Sequence, residues 1–546
     1  MRGAPVWHLM GANPSALPVG CSEVVPCPAP GESIMKQSSL RALSFGLLVL
    51  SIFFCGALRA DEDAVKDFKK YFKKFKDTPT RVEAVLTLEG NESASVVDAL
   101  VPLLKGKEPE VIQAVVRVLA SFEERPPIDA LLVALETKKN EPIRVGILQA
   151  LTAGSYSGTK EALLVCLPDK SWEVRRRAVQ AIAAAAYADT ADQLLPLCSD
   201  SEIAVQCAAL EALSALKSEL VLVPGTAALE HESWQVRVSA IEALGNIRSK
   251  ESIGPLISLM EREQGRLIED VANALANITG RNFGQRTAQW RKFWDTYGDR
   301  YEIPTGEALA KLREKQKAVK NSYKPPGGVS YHGIESPSRS IVFVIDVSGS
   351  METEVIERER FEDGEYPSFK RIDIVKTELM RTIENLEEYV EFNIYSFATD
   401  VKSWKKKQVK ANVVAKKSAL DWIKRLEAIG GNSKQDLAAA GLGGSANLSA
   451  GKTNTYSALM TALGVGAKKK GKDVTYTVKL DTIFFLSDGR PSHGKFVVPE
   501  DILREVRTAN ELRKIVLHTI AIGQFTKTFM RGLAEQNGGV FVDLGN

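Results

Sequence analysis

Between residues 79 and 280 the apolar positions recur with a nearly fixed period. From Val111, apolar side chains follow four, seven and eight residues on, at Val115, Val118 and Leu119. The same offsets from Ile143 give Ile147, Ala150 and Leu151, and from Val174 they give Ala178, Ala181 and Ile182. From Val205 they give Ala209, Ala212 and Leu213, from Val236 Ala240, Ala243 and Leu244, and from Leu267 Val271, Ala274 and Leu275. The anchors lie 32, 31, 31, 31 and 31 residues apart, and a weaker first copy runs through Ala84 and Leu88. These offsets fall on one face of a helix, and the small alanines let a neighbouring helix approach closely. A second apolar segment precedes each such helix: Val97 to Leu104, Ile128 to Leu135, Ala162 to Leu167, Gln193 to Leu197, Val221 to Leu229 and Ile253 to Met260. Two helices per period predict an all-α solenoid over residues 79–300, in which no repeat buries its own apolar face and the stack is the folding unit.

The segments Ser171-Trp172-Glu173-Val174-Arg175 and Ser233-Trp234-Gln235-Val236-Arg237 resemble HEAT repeats of the short bacterial type. The resemblance covers about residues 79 to 280, although armadillo-like stacks share the pattern. Trp290 and Trp294 are four residues apart and fall on one helical face, either as a closing cap of the stack or as an aromatic binding patch. At the other end, residues 61–78 hold Phe68, Tyr71, Phe72 and Phe75 on one face among the lysines from Lys66 to Lys76. This stretch reads either as an N-terminal cap of the solenoid or as a helix lying on a membrane surface.

The pattern changes after a linker, residues 301–337, that begins with a charged helical stretch (Gly306 to Ser322) and ends in the breaker cluster Lys324-Pro325-Pro326-Gly327-Gly328. From 338 to 546, continuous apolar runs alternate with helical segments. Ser340 to Ile345 reads as a strand buried on both faces, and so does Thr482 to Leu486. Helices are expected over Arg371–Leu386, Tyr456–Leu463, Ile502–Lys514 and Thr526–Gln536, and strands over Val390–Phe397, Val401–Trp404, Ile515–Ile522 and Val540–Leu544. That alternation predicts an α/β doubly wound, Rossmann-like sheet, whose ligands bind outside the carboxyl ends of the strands.

The candidate chemistry gathers at that edge. The first buried strand leads into Asp346-Val347-Ser348-Gly349-Ser350, the second into Ser487-Asp488-Gly489, and Gly451-Lys452-Thr453-Asn454-Thr455 precedes a helix. Asp346, Ser348, Ser350, Thr453 and Asp488 offer only oxygen, which suits a hard cation, Mg²⁺, Mn²⁺ or Ca²⁺, rather than zinc or copper. Hydroxyl ligands add no charge, so an ion held by two carboxylates stays electrophilic toward an incoming acid.

Asp346-x-Ser348-x-Ser350 with the distant Thr453 and Asp488 resembles the metal-dependent adhesion site of von Willebrand factor type A (VWA) and integrin inserted domains. The resemblance implies that Asp346, both serines and Thr453 surround one divalent cation, with Asp488 ligating directly or through water. It also implies a protein partner that presents an acidic residue. Three departures stand out. Residues 353–369 enlarge the loop after Ser350. Residues 432–450 separate Gly430-Gly431 from Thr453, which leaves Thr455 as a possible substitute. Two residues follow Leu544, so the C-terminal helix that shifts in integrin-type switching is expected to be absent, and that switch is not carried over.

Composition narrows the remaining classes. A net charge of +3 on 71 basic and 68 acidic side chains argues against a dedicated nucleic-acid protein. Residues 1–60 are not fold: Met1 to Ile34 lacks periodicity, and Met35 opens what resembles a signal peptide. Lys36 and Arg41 precede the apolar run Leu43 to Leu58, with cleavage expected near Ala60. Export to the cell envelope or beyond is expected, with an uncleaved membrane anchor as the alternative and Met35 as a candidate true start. Cys166, Cys198 and Cys207, the cysteines left after cleavage, sit in apolar helical stretches and read as buried small hydrophobes rather than a disulfide framework. A hydrolase built from Ser348 or Ser350, His493 and Asp488 lacks a nucleophile elbow, and no phosphate-cradling loop is present, so no enzyme is expected. The rival is a structural envelope scaffold that uses the solenoid as its main surface.

Overall fold

The computed structural model describes residues 62–317, 329–429, 451–465, 468–469, 472–473, 479–523 and 527–544. The leader with Met35 and Ala60, the breaker cluster at 324–328 and the 432–450 insertion lie outside these. The chain divides into two compact units, Met1–Lys66 and Asp67–Asn546. The described residues of the first are a short helical stretch, 62–66. Among the described residues no helix is long and apolar enough to cross a membrane.

In the second unit the repeat pattern becomes a stack of helix pairs. The anchored helices are Pro109–Leu119, Glu141–Gly154, Trp172–Ala184, Ile203–Ala215, Trp234–Ile247 and Arg266–Thr279, each packed on the next. Every anchor and every residue four, seven and eight positions beyond it is buried, from Val111 to Leu275. The alanines act as expected, and in one place glycine is needed: a Cβ on Gly245 would come 2.9 Å from that of Ala274. The preceding helices are shorter, and several pass into 3-10 turns at a proline, as at Val101–Lys105 with Pro102 and Leu195–Ser199 with Pro196. Proline has no N–H for an internal helical bond and clashes with the preceding turn, so it shortens these helices.

The two ends of the stack are closed by aromatic rings. Trp290 is fully buried, its indole N–H bonds to Gly284 O at 2.8 Å, and Phe283 and Phe293 meet it edge-on. At the N-terminal end Phe68 and Phe72 are buried against each other, and the Arg81 guanidinium covers the Phe72 ring. Phe68, Phe72, Trp290 and Phe293 thus face inward, while Trp294 and Phe75 are half-buried and Tyr71 and Tyr297 are exposed. Cys166, Cys198 and Cys207 are free and buried.

The α/β layer begins with a hairpin of β1 (Val329–Tyr331) and β2 (Ile334–Ser336), which the sequence pattern leaves in the linker. Val329, Tyr331 and Ile334 are buried in the core of the sheet that follows. That sheet runs β11 (Phe541–Asp543), β10 (Val516–Ala521), β9 (Thr482–Ser487), β3 (Ser340–Asp346), β4 (Glu391–Phe397) and β5 (Val401–Ser403), with β6 (Val409–Lys410) also on β4. Strands β11 to β4 are parallel, while β5 and β6 are antiparallel. A two-residue ladder, β7 (Lys468–Lys469) with β8 (Lys472–Asp473), stands apart.

Alternation along the central strands feeds two cores. Ile341, Phe343, Ile345, Phe484 and Leu486 pack with helices Arg371–Glu384 and Val413–Lys424. Val342, Val344, Ile483 and Phe485 pack with helices Thr455–Ala462, Pro499–Glu511 and Lys527–Glu535. Strand order reverses between β3 and β9, so the crevice of this doubly wound sheet opens at their carboxyl ends.

The solenoid and the sheet domain are joined by polar contacts. Glu511, at the end of helix Pro499–Glu511, pairs with Arg176 at 3.1 Å and Arg177 at 3.5 Å, and it accepts from Gln180. Lys514 pairs with Glu211, the Arg266 guanidinium bonds the Lys514 carbonyl, and Lys495 meets Glu110 at 3.4 Å.

Candidate metal centre

Asp346 is the last residue of β3, and Asp488 comes one residue after β9. Parallel pairing of these strands, with Ile345 opposite Leu486, brings both carboxylates to the switch point. The chain then folds back on Asp346. Val347 N–H bonds across to Phe397 O at 2.8 Å, and Ser348 N–H donates to Asp346 Oδ1 at 2.8 Å, an Asx-type turn. The 3-10 turn Gly349–Glu352 follows, pinned by the fully buried Met351. This geometry brings the Ser348 and Ser350 hydroxyls within 3.2 Å of each other.

Three further bonds tie the cluster together. Ser350 Oγ donates to Asp488 Oδ1 at 2.8 Å, Ser487 Oγ donates to Asp346 Oδ2 at 2.5 Å, and Arg371 Nη1 donates to Asp488 Oδ2 at 2.6 Å. Thr453 comes from a separate loop. Its N–H donates to Ser492 Oγ at 2.9 Å, its carbonyl accepts from Ser492 and His493, and Asn454 N–H bonds Ala398 O at 2.9 Å. Asn454 then caps helix Thr455–Ala462 through Ser457 N–H.

Gly489 shows what these side chains face. A Cβ added there would stand 3.2 Å from Thr453 Oγ1 and 3.5 Å from Ser350 Oγ. The two hydroxyls therefore border one space that a side chain on residue 489 would fill. Thr455 Oγ1 is buried without a hydrogen-bond partner, and the atoms nearest this space are those of Thr453 and Ser350.

Both carboxyls are buried, and burial pushes both above the usual carboxylate range. For Asp346 the negative charge of Asp488 adds to that rise, while Ser487 and Ser348 oppose it through hydrogen bonds. For Asp488 the opposing groups are Arg371 and Ser350. Two crowded carboxylates with hydroxyls beside them fit a hard cation in charge and donor type. Among the described residues no group of three or more His, Cys, Asp or Glu side chains converges, and this site brings two carboxylates together with hydroxyls.

Asp346, Ser348, Ser350, Thr453 and Asp488 therefore meet at one edge. The Ser348 and Ser350 hydroxyls pair with each other and Ser350 also bonds Asp488, while the His493 backbone bonds Thr453, so the described bonds do not form a Ser–His–Asp relay. Sequence reasoning missed Ser487, Ser492, Gly489 and Arg371. Arg371 carried a readable signal. It is the first residue of helix Arg371–Glu384, where a cation opposes the helix dipole, so its position calls for a nearby anion. The enlarged loop 353–369 is closed at its base by Val355 N–H to Phe369 O at 2.9 Å and by the Glu354–Lys370 bridge, and its own Phe361 is buried.

Compared with known families, residues 161–224 and 225–289 match HEAT repeats, and residues 364–543 match the von Willebrand factor type A domain. The chain carries both modules. It is 24% identical over 203 residues to inter-alpha-trypsin inhibitor heavy chain H1 of Mesocricetus auratus, covering 37% of this chain and 18% of that one. It is 22% identical over 242 residues to inter alpha-trypsin inhibitor, heavy chain 4, of Mus musculus, covering 44% and 21%. The chain thus spans about a fifth of the length of these relatives. Similar solved structures include the conserved hypothetical protein BatB of Bacteroides thetaiotaomicron, at 12% identity and a TM-score of 0.24 over 38% of this chain and 90% of that one. A designed armadillo repeat protein in complex with the peptide (KR)4 matches at 19% identity and a TM-score of 0.26, over 37% and 100%.

Proposed function

We propose that this protein of HEAT repeats and a VWA domain is an exported, non-enzymatic binding protein. It grips an acidic residue of a protein partner through one divalent cation, Mg²⁺ before Mn²⁺ or Ca²⁺. The VWA module and the heavy-chain relatives support a role in protein interaction and adhesion. The observation that carries the finer reading is the convergence of two buried carboxylates and the Ser348, Ser350 and Thr453 hydroxyls around the space left by Gly489.

When bound, the ion would supply an electrophilic point of attachment for a carboxylate. Asp346 would give it charge, and Ser348, Ser350 and Thr453 would give neutral oxygen. Asp488 has one oxygen on Ser350 and the other on Arg371, so it would act beside the ion through those groups as much as on it. The ordered turn Gly349–Glu352 and the Thr453 loop hold the hydroxyls in place, so little ordering is left for binding to supply. The solenoid would add an extended interaction surface.

The Arg371–Asp488 pair favours a second reading, in which a guanidinium closes the site and the cluster serves local stability in an envelope scaffold. Capture of partners from the cell envelope by cross-linking, with and without EDTA, separates the two. Capture lost with EDTA and restored by Mg²⁺ or Mn²⁺ supports the adhesion reading. Capture indifferent to chelator supports the scaffold.

A further inference from the structure

Arg371 brings a side chain of opposite sign into the carboxylate cluster. Its Nη1 lies 2.6 Å from Asp488 Oδ2, with the aspartate side chain fully buried and the arginine nearly so. Its backbone N–H is fixed to Thr353 O at 3.0 Å, so the enlarged loop after Ser350 sets where the helix starts and where Arg371 stands. Gly523 packs against the pair, and a Cβ there would crowd the Asp488 carbonyl oxygen at 3.1 Å. A Cβ on Gly523 would come 3.4 Å from Asp488 Cβ and 3.5 Å from Arg371 Cζ. A guanidinium carries five N–H donors, and here Nε is buried without a hydrogen-bond partner. The pairing with Asp488 is therefore only part of what this group can bind.

The formal charges give the consequence. Two carboxylates and one guanidinium leave one negative charge, and a divalent ion turns this into one net positive charge. Without the arginine the loaded site would be neutral. In a buried setting a fixed charge a few ångströms away is weakly screened, so it repels the ion and attracts an anion with comparable strength.

We propose that Arg371 sets the ligand class of the site: it lowers cation affinity and in return makes the loaded site select a carboxylate over a neutral oxygen ligand. This rests on the cation reading given above. A guanidinium that merely braced the fold would, on removal, weaken cation binding and ligand binding together. The proposal requires them to move in opposite directions.

The test uses the full chain with Arg371→Gln, Arg371→Lys and Asp346→Ala. Calorimetry reads Mn²⁺ affinity, and water-proton relaxation of the Mn²⁺ complex reads displacement of metal-bound water by acetate, with acetamide as the neutral probe. Thermal unfolding in EDTA checks that each variant is folded. Arg371→Gln should bind Mn²⁺ on the order of tenfold more tightly. It should also need several-fold more acetate for half-displacement, with acetamide unaffected. Arg371→Lys keeps the charge and should stay close to wild type in both. Equal or weaker Mn²⁺ binding by folded Arg371→Gln would overturn the proposal, as would Arg371→Lys behaving like Arg371→Gln. Mn²⁺ binding that survives Asp346→Ala, or is missing from every form, would instead overturn the cation reading on which it rests.

Discussion

Gly489→Ala perturbs the proposed centre while leaving every donor in place. The new methyl would stand in the space bordered by Thr453 Oγ1, at 3.2 Å, and Ser350 Oγ, at 3.5 Å. A divalent ion such as Mg²⁺ needs ligands at about 2.1 Å, and two hydroxyls facing a methyl lose that approach. A contact between a charged and a polar group contributes about 1.5 kcal/mol or more. Losing two costs about 3 kcal/mol, on the order of a hundredfold in Kd. The metal-free fold should hardly notice. Gly489 does not have a positive φ, so alanine fits its backbone. The stiffer unfolded chain returns about 0.4–1 kcal/mol against a small shift of the Thr453 hydroxyl. Calorimetry with MnCl2, beside thermal unfolding in EDTA, measures the two effects separately. Mn²⁺ binding within about threefold of wild type in folded Gly489→Ala would refute the idea that this space holds the ion.

Three other outcomes follow from different parts of the chain. Ala240 is fully buried between helices Ile203–Ala215 and Arg266–Thr279, so Ala240→Glu should cost about 3–5 kcal/mol by burying an unpaired charge; an unchanged unfolding midpoint would contradict the shared core. Glu511→Gln leaves the buried Arg176 and Arg177 without their carboxylate and should cost about 2 kcal/mol, discounted because Glu511 is itself 26% exposed. Denaturant unfolding of that variant should also lose salt sensitivity relative to wild type, and identical curves would count against an ionic clamp between solenoid and sheet. N-terminal sequencing of the mature protein should begin at or near Asp61, and a mature chain that keeps Leu43 to Leu58 would favour the anchor.

The solenoid was legible because burial imposes a short-range period. Each anchored helix must bury four positions, and a stack repeats the demand about every 31 residues, from Val111 to Leu267. The preceding helices were readable as apolar but not as short, since proline at 102 and 196 reshapes them locally. Strands β3 and β9 announced themselves as unbroken apolar runs, because both faces are covered. The β1–β2 hairpin was hidden: its core residues Val329, Tyr331 and Ile334 are too few to rise above a linker rich in glycine and proline. Helix Val413–Lys424 went unread for a similar reason, since it begins with two exposed valines and buries only Ala419 and Ile423 completely. In the site, the Asp-x-Ser-x-Ser turn is local and carries its own signal. Thr453, Asp488 and Arg371 come together only through the strand order, which no short-range pattern encodes. Resemblance supplied the first two of these and was silent on the third.

The central claim is that the cluster at the end of β3 and β9 holds a divalent cation. Its most direct test is calorimetric titration of the full chain with Mg²⁺ and Mn²⁺, wild type against Asp346→Ala. Asp346 supplies a carboxylate from the end of a buried strand, with both oxygens already oriented by Ser348 and Ser487. Its removal should abolish binding while the two apolar cores keep the domain folded. The account predicts one site in the wild type and none in Asp346→Ala. Equal binding by both proteins, or none by either, would contradict it.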